Sequence, residues 1–165
     1  MKKLLVPAAI AAMLGIAPAQ AAVVNGNFNV TVTLTSVCTM AAIGDLAFGT
    51  YVAFQGTVQN ATSTTATLTC TRGLTGITAN FDTAAPGSTA AAAAATAVGA
   101  GVIQGLQYDI TATPGAVTAG AAATASSIGS ADTRPYTIAG SMPANQAGDP
   151  TQNASPQVRT LTITY

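Results

Sequence analysis

The chain of 165 residues contains no histidine, no glutamate and no tryptophan, and charged residues make up only 6% of it. Each gap excludes a class of function. Without His or Glu the commonest general bases are missing. No G-x-S-x-G, H-E-x-x-H, P-loop or G-x-G-x-x-G pattern is present to replace them. Lys and Arg together number five, too few for a basic nucleic-acid surface. The missing tryptophan weakens a carbohydrate-binding reading, since sugar platforms are usually aromatic. The acids are Asp45, Asp82, Asp109, Asp132 and Asp149, scattered among Gly- and Pro-rich segments. Such residues ordinarily shape turns, although a pair meeting in space would suit glycoside hydrolysis. Asp132-Thr133-Arg134 reads as a loop ion pair. No catalytic residue, metal ligand set or cofactor is expected.

The features present begin with the N-terminus. Lys2 and Lys3, an apolar stretch from Leu4 to Ala17, and Ala19-Gln20-Ala21 have the order of a secretory signal and its cleavage site. The mature chain is expected to start at Ala22 with no membrane span, and its length suits one domain. Both lysines leave with the signal, so three arginines face five aspartates, a net of −2. A surface so poor in charge tends to associate. Cys38 and Cys70 are the only cysteines. In an exported chain an even pair reads as one disulfide; a two-Cys metal site is the alternative, and it lacks further ligands. The sequons at Asn29, Asn60 and Asn153 matter only in a eukaryotic secretory route.

The clearest periodicity follows the signal. Val24, Gly26, Phe28, Val30, Val32 and Leu34 alternate with Asn25, Asn27, Asn29, Thr31, Thr33 and Thr35, which predicts a long strand with one buried face. Shorter strands are predicted over 46–49, 51–58, 65–71, 77–81, 106–111, 136–141 and 158–165, with turn residues between them. This rhythm indicates an all-β sandwich. The Ala-rich segments 89–101 and 115–125 break it and read as loops or short decorated strands, with room for one helical turn.

The chain resembles the spore coat protein U domain family, which includes the major subunits of archaic chaperone–usher pili. The resemblance rests on the alternating strand, Cys38 at its end, and Asp45-Leu46-Ala47-Phe48-Gly49. It continues with Leu68-Thr69-Cys70-Thr71-Arg72-Gly73 and Gly105-Leu106-Gln107-Tyr108-Asp109-Ile110. Tyr136-Thr137-Ile138-Ala139-Gly140-Ser141-Met142-Pro143 and Thr160-Leu161-Thr162-Ile163-Thr164-Tyr165 complete it. The chain departs from the family at Arg159, where members commonly carry an acid, and at Ser155-Pro156.

What the resemblance implies is an immunoglobulin-like sandwich missing its last strand and completed by donor-strand exchange. Residues 1–21 are then the signal, 22–35 the donor strand and 36–165 the pilin-type domain. Val24, Gly26, Phe28, Val30, Val32 and Leu34 face a neighbour's groove, while Leu161, Ile163 and Tyr165 flank the chain's own. The implied partners are other copies of the chain in a head-to-tail homopolymer, a periplasmic chaperone and an outer-membrane usher. The implied route is Sec export, then the periplasm, then the cell surface. Two alternatives remain: a secreted monomeric sandwich that binds a surface or carbohydrate, and a spore or cell coat component.

Overall fold

The computed structural model describes residues 24–91 and 96–165; the signal segment and its cleavage site lie outside the described residues. Nine strands form among the described residues: β1 Cys38–Met40, β2 Gln59–Asn60, β3 Thr64–Cys70, β4 Thr78–Phe81, β5 Thr89–Ala91, β6 Ala97–Ile103, β7 Leu106–Pro114, β8 Asp132–Met142 and β9 Leu161–Thr164. No helix occurs among the described residues. A large sheet runs β1-β3-β8-β7-β6-β5, with β2 also on β8, and a small one pairs β4 with β9. Every ladder among these strands is antiparallel. The fold is an all-β sandwich.

Alternation builds the core. The long strands turn Ala66, Leu68, Cys70, Tyr108, Ile110, Ala112, Tyr136, Ile138 and Met142 inward and leave Thr, Gln and Asp outside. Ala79, Phe81 and Leu161 supply the small sheet's share, and no charged side chain is fully buried among the described residues. The mix of large and very small residues lets the layers approach. A Cβ at Gly101 would collide with the Tyr108 hydroxyl, and one at Gly140 would stand 2.8 Å from Cζ of Phe48. Bare backbone at these points gives the aromatic rings their space.

The Ala-rich segment 89–101 is strand wherever described at length: β5 and the first part of β6 lie in it. Helix propensity lost because ladder partners on β7 were available to β6. Segment 115–125 remains a loop, held to its neighbours by isolated bridges such as Thr118 with Thr133.

Three expectations are corrected. Residues 46–49 and 51–58 are not strands; apart from a single bridge from Ala47 to Thr62 they run outside the ladders. Their alternation serves packing instead, with Leu46, Phe48 and Tyr51 set against the core. The loop ion pair Asp132–Arg134 does not form. Asp132 accepts hydrogen bonds from the backbone N–H groups of Gly73 and Gly120, while Arg134 donates to the Gly115 carbonyl. Finally, residues 24–34 make no ladder within this chain. Val24, Phe28, Val30, Val32 and Leu34 are all exposed, Phe28 at 86%. Alternation specifies which side chains would share a face; a strand also needs an edge to pair with.

The chain divides between Thr33 and Leu34 into two units, and all nine strands belong to the second. Cys38 and Cys70 face each other across the β1–β3 ladder and are joined by a disulfide.

Candidate functional site

A cavity of about 890 Å3 opens on the sandwich between two stretches that take no part in its ladders, residues 43–51 and 155–159. Its floor is the core seen from the side: Phe81, Tyr108, Ile110, Ile138, Met142 and Leu161 all reach it. Leu46 and Phe48 line it from the first stretch, with the Phe48 ring centroid 5.9 Å from that of Tyr108. Asp45 and Arg159 are its only charged lining residues. An apolar opening in a sandwich is a place where one more apolar element would complete the core.

The geometry of β9 gives the opening a preferred occupant. Among the described residues β9 pairs with β4 alone, through Phe81–Leu161, Asn80–Thr162, Ala79–Ile163 and Thr78–Thr164. Its other edge therefore offers unpaired backbone N–H and C=O groups. Leu161 is buried and lines the cavity, Ile163 is half-buried against the core, and Tyr165 is exposed beyond the strand's end. An apolar cleft beside a free strand edge is chemistry suited to an extended peptide with alternate apolar side chains.

Side chains, not ladder bonds, hold the 155–159 stretch in place. The Arg159 guanidinium is the centre of this arrangement. Its Nε donates to Asp82 Oδ1 at 2.9 Å. Nη1 reaches the Ala100 carbonyl at 2.9 Å and the Tyr108 hydroxyl at 3.0 Å, and Nη2 reaches the Asp82 carbonyl at 2.7 Å. The Tyr108 hydroxyl in turn donates to Gln157 Oε1, whose amide nitrogen donates to the Val102 carbonyl. One planar cation thus ties together the small sheet, β6 and β7.

The charges respond to these contacts. Partial burial pushes the Asp82 carboxyl up, but the Arg159 guanidinium and the Thr160 N–H outweigh it and hold the carboxyl below the usual carboxylate range. Burial likewise weakens the Arg159 cation, and the Tyr108 and Asp82 contacts more than compensate, so it stays fully charged. Asp82–Arg159 is the one ion pair among the described residues.

The residues 24–160 match the Spore Coat Protein U domain. The chain belongs to that family. Neither the curated proteins nor the solved structures include a match to it. The family is one of structural, coat- and pilus-associated proteins.

Sequence reasoning singled out Leu161 and Ile163 and the Asp45–Gly49 stretch, and the fold brings Leu161 and that stretch to one cavity. It missed Asp82, Tyr108 and Gln157 as supports of the cavity wall. Nothing in their spacing could have shown it, because 49 residues separate Tyr108 from Gln157 and 77 separate Asp82 from Arg159. The unusual cation at Arg159 was the only signal.

Proposed function

We propose that this spore coat U-type chain is an exported structural subunit of a surface fibre, assembled through a chaperone and an usher by donor-strand complementation. The apolar cavity beside the free edge of β9 is the observation that carries the reading. In the fibre it takes the segment Val24–Leu34 of another copy, with Val24, Phe28, Val30, Val32 and Leu34 entering and the Asn/Thr face outward. Those apolar side chains have no place in their own chain's ladders and stand exposed. Four or five of them buried at about 1.5–3 kcal/mol each contribute on the order of 10 kcal/mol before ordering costs. The added strand also pairs the β9 edge, removing a liability to uncontrolled aggregation. Until a neighbour arrives, a periplasmic chaperone covers the same cavity. A contact of this kind is heterologous, so it propagates as an open filament and does not close.

The test compares neighbouring positions. Phe28→Asp places an unpaired carboxylate in an apolar cavity at a cost of several kcal/mol and should abolish fibres while the periplasmic subunit level holds. Asn29→Asp, on the opposite face, should leave fibre yield unchanged. Fibres are counted by electron microscopy and the subunit by immunoblot. Normal fibres from Phe28→Asp would refute the reading and favour a self-contained binding domain.

A further inference from the structure

The loop between Gly49 and β2 holds a phenylalanine under unusual constraint. Phe54 has a backbone φ of 57° and its residue surface is 70% exposed. A bulky residue in the left-handed region is uncommon and costs conformational energy, and an exposed ring recovers none of it. The loop is nevertheless tightly pinned. The N–H of Phe54 donates to the Gln146 carbonyl at 2.8 Å, and that of Asn145 donates to the Gln55 carbonyl at 2.8 Å. The Tyr51 hydroxyl donates to the Pro143 carbonyl at 2.7 Å and accepts from the Gln146 N–H at 3.1 Å. Gln55 closes the turn by accepting from the Val52 N–H. Glycine or asparagine would meet the backbone demand better. What Phe54 adds is an apolar ring held outward on a rigid support, flanked by the exposed Val52 and Val58.

Its position says what the ring meets. Tyr51 lines the cavity beside β9, so the loop adjoins it. The segment leading into β9 adjoins it as well, with Gln157 bonded to the Val102 carbonyl and Arg159 to that of Ala100. The two meet through β7, because Gln146, which carries Phe54, bonds to Gln107, the ladder partner of Val102. Every ladder among the described residues is antiparallel, and a strand added to β9 in that pattern runs opposite to it. The C-terminal end of the added strand then emerges next to Phe54.

We infer that Phe54 is a second docking point between successive copies in the fibre, its ring packing on Leu34 and Val37 of the copy that donates the strand. The inference rests on the donor-strand reading above. Leu34 and Val37 are exposed, directly follow the donated residues, and lie in an uncharged stretch facing an uncharged loop. The ring thereby restrains the hinge where one subunit leaves the next.

Photo-crosslinking in intact fibres of the full chain tests this. With p-benzoylphenylalanine in place of Phe54, crosslinks are expected to residues 34–37 of a neighbouring copy. With the same group in place of Phe28, crosslinks are expected to the cavity, Leu161 among them. If position 28 reacts in the cavity and position 54 reaches another region or a different protein, the Phe54 contact is overturned and the donor-strand reading stands. If position 28 fails to reach the cavity, both fall. Phe54→Gly, which accepts the backbone without strain, should leave the periplasmic subunit level unchanged yet speed fibre dissociation in warm SDS about tenfold. Phe54→Asn, which tolerates the same backbone, should behave alike. Wild-type dissociation rates in both variants would overturn the inference.

Discussion

At the scale of single residues, one buried and one half-buried polar group show how the sandwich handles polarity. Tyr136 is 1% exposed and its hydroxyl has no hydrogen-bond partner among the described residues, although Arg134 lies over the ring. The ring is needed to fill the core; the oxygen contributes little there. Tyr136→Phe is expected to be neutral or to stabilise by about 1 kcal/mol, read from the denaturant midpoint. Asp82 behaves in the opposite way, because its charge is used. Its carboxyl is harder to protonate in the folded chain than in the unfolded one. The pair's contribution is therefore complete above the ordinary Asp value near 3.9 and is lost as the pH falls through the lower folded value. Melting temperature should hold steady down to about pH 4 and drop below it, and Asp82→Asn should lower the plateau and soften the acid fall. An unchanged acid limb in that variant would assign the loss to Asp132 and Asp149, which are also held low by hydrogen bonds. Arg159 looked like a departure from the family pattern. In the fold it is the residue that fastens the cavity wall.

At the scale of elements, strand length decides how much outside help each strand needs. β7 and β8, with 9 and 11 residues, are held by partners on both sides. β1 has three residues, an edge position and one neighbour. The Cys38–Cys70 bond compensates by tying it to β3 across 32 residues of sequence. In the chain-entropy treatment such a loop is stabilised by up to about 3.7 kcal/mol. Alkylation of the denatured, unreduced protein should find no free thiol, and Cys38→Ser/Cys70→Ser should lower the unfolding free energy by a few kcal/mol. Two reactive thiols would show the bond absent in the native protein. The elements legible in the sequence were those whose period-2 pattern met a ladder: β3, β4, β7, β8 and β9. The 46–58 region shows the converse, since its apolar residues pack on the core while its backbone pairs almost nowhere.

At the scale of the whole molecule, the scarcity of charge becomes a property of the assembly. On the donor-strand reading, the surface that meets other copies has almost no ions to screen, since Asp45 and Arg159 are the only charged residues among those that line the cavity. Raising salt from about 0.01 M to 1 M shortens the screening length roughly tenfold, yet it should change neither fibre yield nor fibre dissociation by more than a small factor. A steep salt dependence would require charged subunit contacts absent from the donor-strand reading. Such an assembly draws instead on apolar burial and backbone pairing, which salt affects little.

By itself the sequence determined the class of fold and made the two cysteines an expected pair, because alternation and composition are local properties of the chain. It also marked residues 24–34 as one-faced, without saying whose face they cover. Only the tertiary structure decided that β9 keeps one edge free, that residues 43–51 and 155–159 stand apart over an apolar floor, and that Arg159 holds the second of them in place. Those facts depend on which distant segments meet. Asp82 and Arg159 touch through two side chains 77 positions apart, and no periodicity in the chain encodes that contact.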